Sequence, residues 1–323
     1  MRTSYTHFTT NEREMLLLFS DRGYSIREIG RRLNRSASSI SRELRRNGRR
    51  DGSYSACQAQ KAYQERRKQC VRKRKLDDPA LKEHVKEKLL KCWSPEQIDG
   101  RLKLEKAKVR ISFATIYRAI HSGQLEVSKK CLRRGGRKPS PHKEETRGRL
   151  HGQKTIHERP RSADTRAWFG HWEGDTVRGA QGKGVVATFV DRRSRFLVAC
   201  LMPDRRAKSL TDAMCTAFDR FPPSLKRSFT VDNGNEFFGY RDVEDRLKTK
   251  VFFADPYHPW QRGLNENTNG LLRQYFPKKC DFLAISAQDL QAVVDALNLR
   301  PRKCLGFRSP AECFPLDRLL HFT

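Results

Sequence analysis

Long apolar runs are missing from this chain. No stretch reaches the roughly 18 consecutive apolar residues that a membrane helix requires, and the first residues lack the apolar core of a secretory signal. Also missing is any CxxC pair or Cys/His ligand quartet among the nine cysteines, at positions 57, 70, 92, 131, 200, 215, 280, 304 and 313. That speaks against structural zinc, and the odd count reads as reduced, mostly buried thiols in a cytoplasmic protein. Acidic residues are in short supply, with 37 Asp+Glu against 67 Lys+Arg and a formal net charge of +30. The deficit lies at the front: residues 1–150 carry 39 basic and 17 acidic residues, a net +22, while residues 151–323 carry 28 and 20, a net +8. Such an excess calls for a polyanionic partner, because each phosphate neutralised releases condensed counterions. A membrane surface would call for a basic amphipathic helix with bulky apolar residues opposite, and none is found.

What is present, 37% hydrophobic and 32% charged residues over 323 positions, suits a globular protein of two or three domains. The segment "TTNEREMLLLFSDRGYSIREIGRRLNRSASSISRELRRNG" holds three short helix signatures. Thr9 with Glu12 forms a capping box, Gly23 marks a stop, and Ser25 with Glu28 forms a second box before Ile26, Ile29 and Leu33. Ser36 caps a third helix that buries Ala37, Ile40 and Leu44 and presents Ser38, Ser39, Arg42, Arg45 and Arg46. This is a helix-turn-helix pattern: short polar side chains can approach base edges, and arginines can reach guanine or phosphate. A solvated face on a small helical bundle is the plainer reading, and the charge of the front half argues against it.

Residues 54–91 read as a basic helical linker. "WSPEQIDGRLKLEKAKVRISFATIYRAIHSG" repeats the earlier grammar. Ser94 caps, Pro95 opens the helix and Gln97 completes the box, with Ile98 and Leu102 facing inward. A following helix from Ser112 buries Phe113, Ile116 and Ile120 and presents Thr115, Tyr117 and Arg118. The division expected is 1–53 for the first helix-turn-helix domain, 54–91 for the linker, 92–122 for a second helix-turn-helix and 123–165 for a basic linker that orders on DNA. Residues 166–323 form the remainder.

In that last segment the periodicity turns to strands, at "HWEGDTVRG", "GVVATFVDRRS" and "FLVACLMP", spaced as antiparallel neighbours. A helix at "SLTDAMCTAFDRF", a strand in "SFTVDNG", a helix near "YRDVEDRLK", a strand in "KVFFADP" and a final helix follow. That order predicts an RNase H-like α/β domain with a mixed five-stranded sheet and flanking helices. The whole is multidomain, with all-α helix-turn-helix modules in front.

Three acids attract attention within it. Asp175 lies mid-strand, Asp232 ends a strand at the carboxyl edge where open α/β sheets bind ligands, and Glu266 sits on a helix 34 positions further on. Converging carboxylates repel one another and normally hold cations; hard oxygen ligands suit Mg²⁺ or Mn²⁺. Two such ions can drive an in-line phosphoryl displacement without a covalent protein nucleophile. Each acid has a structural reading as well: a strand-end acid, the first residue of a "DNG" turn, or a partner for Arg262 or Arg273. Glu173, Glu236, Asp191 and Asp255 lie close enough in the pattern to remain alternatives.

"HWEGDTVRG", "TVDNGNEF" and "PYHPWQRGLNENTNGLLRQYFPK" resemble the three signature blocks of Asp-Asp-Glu transposases, closest to the bacterial insertion-sequence family called IS-thirty. The N-terminal "YSIREIGRRLNRSASSISREL" and the ending "LNLRPRKCLGFRSPAECF" are similar to that family's other blocks. The resemblance implies that Asp175, Asp232 and Glu266 bind two catalytic Mg²⁺ ions and that Arg273 contacts DNA near the site. Arg262, Glu266, Asn269 and Arg273 recur at helical spacing, so Arg262 joins it on one face. Also implied are terminal inverted repeats and target DNA as partners, a homodimer or higher multimer on DNA, and a circular or end-joined intermediate. A sequence-specific regulator on a silent core would predict a disrupted triad, whereas a structure-selective nuclease would not need two helix-turn-helix modules.

Overall fold

The computed structural model describes residues 6–48, 52–70, 74–133, 153–256 and 258–320, in two compact units, Met1–Asp77 and Asp78–Thr323. Within the first unit, α1 (Thr10–Asp21), α2 (Ile26–Arg32), α3 (Ala37–Asn47) and α4 (Ala56–Gln69) enclose Leu16, Phe19, Ile29, Ile40, Tyr54 and Ala59. The Thr9 box is formed in full. At α2 only half of the second box is made: Ser25 Oγ accepts the Glu28 N–H at 3.3 Å, while the Glu28 carboxylate pairs with Arg31 and Arg32. A Cβ on Gly30 would sit 2.8 Å from the Arg35 carbonyl, so the turn into α3 closes tightly only over glycine. Beneath α3 lies a buried pair, Arg13 Nε to Glu43 at 2.8 Å; Glu43 also accepts from the Tyr54 hydroxyl at 3.2 Å and Asn47 at 2.8 Å.

This unit corrects the linker reading of residues 54–91. Tyr54, Ala56 and Ala59 are buried against α1 and α3, so α4 completes the first unit's core. The latter part forms α5 (Pro79–Leu90), which belongs to the second unit and packs on α6 (Pro95–Leu104); α7 (Phe113–His121) packs on α6 in turn. Ile26 and Phe113, expected inside, are 41% and 45% exposed. Each is the first residue of its helix, overhanging the buried stripe that begins one turn later.

The second helical set is fastened to the C-terminal block. Gln97, completing its capping box, donates to the Pro301 carbonyl at 2.7 Å, and Arg101 grips Glu312 through two bonds of 2.7 and 2.8 Å. After it come the single turn α8 (Arg161–Asp164), β1 (His171–Arg178), β2 (Val185–Asp191), β3 (Leu197–Met202) and α9 (Ala207–Phe218). Then follow β4 (Ser228–Val231), α10 (Tyr240–Leu247), β5 (Lys250–Phe253), α11 (Gly263–Leu272), α12 (Ala287–Asn298), α13 (Pro310–Cys313) and α14 (Asp317–Leu320).

The five strands lie in the order β3-β2-β1-β4-β5, with β1–β2 and β2–β3 antiparallel and β1–β4 and β4–β5 parallel. Alternation along the strands builds two cores. Trp172, Phe189, Phe229 and Val231 face α9 and α10, where edge-to-face rings add roughly 0.5–1.5 kcal/mol per pair beyond area burial. Val177, Val186, Val190, Leu271, Leu272 and Leu297 form the opposite core, under α11 and α12.

Residues 153–165, expected in the second linker, are part of this unit. The edge strand β5 has its Phe253 N–H bonded to the Lys154 carbonyl at 2.9 Å, and Ile156 and Ala163 are buried, so covering the edge orders the segment. The 134–152 part of that linker lies outside the described residues. All nine cysteines are free thiols, and only Cys215 is buried, fewer than expected, because most sit at helix ends and loops. No helix among the described residues is long and apolar enough to cross a membrane.

Candidate active site

Sheet register brings the two aspartates together. The parallel β1–β4 pairing runs to Glu173↔Thr230, and two residues further along are Asp175 on β1 and Asp232 just past the end of β4. Both emerge toward α11. Arg262, the residue before that helix, reaches Asp175 Oδ1 at 3.6 Å and Asp232 Oδ2 at 3.2 Å. Asn269, two turns along, donates to Asp175 Oδ2 at 2.9 Å and accepts from the Thr188 hydroxyl at 2.9 Å, fixing which way its amide points. Backbone N–H groups hold the other oxygens: Thr176 to Asp175 at 2.8 Å and Gly234 to Asp232 at 3.0 Å. A side chain at position 234 would meet Glu236 Oε2 at 2.5 Å and Asp232 Oδ1 at 2.8 Å, so the carboxylates crowd a spot that only glycine leaves open.

Burial, followed by the charges of Asp232 and Glu236, pushes the Asp175 carboxyl up to about 6 against the pull of Arg262. A folded-state value above the unfolded one means that the native state binds this proton more tightly. Asp175 therefore lowers stability progressively as pH rises from about 4 through about 6 in metal-free buffer. Asp175→Asn is expected to remove that slope, checked by denaturant unfolding between pH 4 and 7.

The four alternative acids are each committed elsewhere. Buried Glu173 pairs with Arg192 and accepts the Leu264 N–H at 3.2 Å. Glu236, next to the aspartates, is neutralised by Arg205 and accepts from Thr176 Oγ1 at 2.9 Å. Asp191 collects N–H groups of Gly170, Arg193 and Ser194, and Asp255 pairs with His157 and Gln261.

Glu266 stands apart. It lies in the first turn of α11, exposed, with no hydrogen bond or ion pair to any described residue. Among the described residues no group of three or more Asp, Glu, His or Cys is placed to hold a metal ion. The structure thus unites Asp175 and Asp232 and leaves the third acid one helical turn from the guanidinium that neutralises them. Its proposed pairing with Arg262 or Arg273 is not made either. Arg273 donates to the Arg178 carbonyl at 2.5 Å and the Pro277 carbonyl at 3.2 Å, strapping α11 to the end of β1. Two converging, hard-oxygen carboxylates that already share one cationic partner fit a divalent cation.

Of the residues singled out on the helix-turn-helix, Ser38, Arg42, Arg45 and Arg46 are exposed on α3, Ser39 is half-buried, and the three arginines have no carboxylate partner among the described residues. On α7, Arg118 is exposed while Thr115 and Tyr117 are half-buried; burial raises the Tyr117 phenol. Arg205 and Asn269 are site residues that sequence reasoning passed over or left without a role. Helical spacing placed Asn269 on the right face, and nothing in the pattern around Arg205 pointed to Glu236.

Residues 166–259 match the family model described as "Integrase core domain", and residues 4–47 match "Helix-turn-helix domain". Fold, site and these matches define an integrase-core enzyme joined to a helix-turn-helix unit. The chain is 36% identical over 334 residues to the transposase for insertion sequence element IS1086 of Cupriavidus metallidurans, covering 98% of each chain. It is 38% identical over 328 residues to transposase InsI for insertion sequence element IS30A of Escherichia coli, covering 96% of this chain and 84% of that one. With the transposase for insertion sequence element IS4351 of Bacteroides fragilis it shares 35% identity over 313 residues, 95% of each chain. The chain belongs to the IS30 family of Asp-Asp-Glu transposases.

Proposed function

We propose that the N-terminal helix-turn-helix unit binds the terminal inverted repeats of an insertion sequence and that the integrase-type core cuts and rejoins DNA there with Mg²⁺, in the cytoplasm at the nucleoid, as a dimer or higher multimer. The observation that carries this reading is the convergence of Asp175 and Asp232 on Arg262 beneath the helix that bears Glu266. Two Mg²⁺ ions, with Mn²⁺ able to substitute, would supply charge neutralisation to the attacking and leaving oxygens of an in-line displacement when bound.

The chain's own residues do the rest. Asp175 is oriented from two sides by Asn269 and the Thr176 N–H, and Asp232 by the Gly234 N–H. Glu266, in the first turn of α11, is free to complete the acidic set. Arg262 moderates the mutual repulsion of the aspartates and can pass its second donor edge to a phosphate, since a guanidinium forks to either oxygen anion. A first displacement by water frees a 3′-OH, and a second joins that 3′-OH to another phosphodiester; positioning and electrostatics carry both.

The experiment is a labelled DNA fragment carrying the element's own ends, incubated with the full chain with and without Mg²⁺. Products joined at those ends and absent without the ion are expected; hydrolysis alone, with no joining, would point to a nuclease. In the same system Arg42→Ala should weaken end binding by about 1–3 kcal/mol if its guanidinium reads a base. Metal-dependent nicking of a tethered substrate should be unchanged, and equal loss of both activities would refute the division of labour.

A further inference from the structure

Beside the paired aspartates, on the same face of β1 and along the N-terminal half of α11, lies a separate cleft of about 480 Å³. Its wall carries five arginines, Arg159, Arg166, Arg192, Arg195 and Arg302, against a single carboxylate, Glu173. Two of the five are neutralised: Arg192 by Glu173 and Arg159 by Asp164. The other three have no carboxylate partner among the described residues. Arg302 is only 8% exposed, and its Nε, like that of Arg195, is buried without a hydrogen-bond partner among those residues. Arg302 and Arg195 otherwise donate to backbone carbonyls, of Leu297 at 3.0 Å and Arg192 at 2.8 Å. Arg166 donates to no described residue.

Folding alone does not account for this arrangement. A buried guanidinium donor left unpaired costs roughly 1–3 kcal/mol, and clustering like charges adds to that. Burial and neighbouring arginines hold both Arg192 and Arg302 down to about 10. An arrangement that is unfavourable without an anion becomes favourable with one, and planar guanidinium forks match phosphate oxygens. On the rim, Trp260 is 70% exposed, an unusual position for so large an apolar ring.

We propose that this cleft is a phosphate-binding subsite for a DNA strand, holding backbone phosphates next to the reacting one through Arg166, Arg195 and Arg302, with a base stacked on Trp260. The proposal rests on DNA being the substrate. Distance along the elements supports it: Glu173 is two residues before Asp175 on β1, and Asn267, which also lines the cleft, adjoins Glu266 on α11. A strand lying across α11 would pass from the cleft to the aspartates. Aromatic stacking tolerates any base, so the subsite would grip without reading sequence.

Three variants test it in the full chain, without metal, the arginine ones on duplexes of element-end and of unrelated sequence. Losing two phosphate contacts in Arg166→Gln/Arg195→Gln should reduce the slope of log K against log salt by about 1.8 on both duplexes, and Arg166→Gln alone by about 0.9. The single variant changes an exposed side chain and keeps the measurement meaningful if the double variant unfolds. Trp260→Ala should weaken binding of a single-stranded oligonucleotide, whose bases are free to stack, without changing the slope. Unchanged slopes in both arginine variants, with melting temperatures retained, would overturn the proposal. Inorganic phosphate serves as the comparison probe: if it alone occupies the cleft, and DNA fails to displace it, the site takes a free anion and the DNA assignment is wrong. Because these measurements need neither Mg²⁺ nor strand joining, a failure of the strand-transfer reading would leave them untouched, and their failure would leave strand transfer standing.

Discussion

Glu266→Gln is expected to lower strand joining by at least about a thousandfold, the several kcal/mol of charge stabilisation that metal catalysis supplies. Binding to end DNA should stay within about twofold, since phosphate and base contacts are made elsewhere. The substitution keeps shape and hydrogen-bonding capacity and removes only the charge. Folding should not suffer, because Glu266 is exposed and partnerless among the described residues. Its position makes the test sharp: a surface residue with no structural contact has no indirect route to activity. Mn²⁺ affinity followed by calorimetry gives a second readout, with weakening of at least about tenfold expected. If joining and Mn²⁺ affinity both persisted in the variant, the third acid would have to be sought among the neighbours, with Glu236 first, since it lies beside Asp232 across Gly234.

The strand and helix order of the core is legible because alternation and turn residues agree: "HWEGDTVRG" and "SFTVDNG" become β1 and β4, and their register sets Asp175 by Asp232. The caps at Thr9 and Ser94 are legible for the same local reason. Long-range neutralisation is not. No spacing rule connects Glu173 with Arg192 or Glu236 with Arg205, and these pairs separate structural acids from candidate catalytic ones. The helical face shared by Arg262, Asn269 and Arg273 was visible, yet its members diverge in use. Arg262 and Asn269 turn to the aspartates, and Arg273 turns to backbone carbonyls at the end of β1. Linker composition misled in the opposite direction, for basic residues 54–69 and 153–165 conceal the few small and apolar side chains that anchor each segment.

Glu173→Ala should cost about 3–5 kcal/mol of stability, the penalty for stranding a buried charge. For a unit of this size that is a fall of roughly 6–20 °C in melting temperature. Glu173 and Asp175 are two residues apart on one strand face, and sequence treats them as equals. In the fold, Glu173 is 1% exposed, its oxygens taken by Arg192 and by the Leu264 N–H at the start of α11. It fixes the helix that carries Glu266 and screens one of the arginines in the cleft. Asp175, by contrast, has its carboxyl pushed up to about 6, so carrying its charge at pH 7 costs stability, and Asp175→Asn should keep or raise the melting temperature at pH 7 in metal-free buffer while abolishing joining. The pair of variants therefore separates scaffold from chemistry at positions two residues apart on one strand. Thermal unfolding by circular dichroism, run beside the joining assay, reads both. Equal destabilisation by the two substitutions would mean that Asp175 is a structural acid and that the paired aspartates do not form the reactive centre.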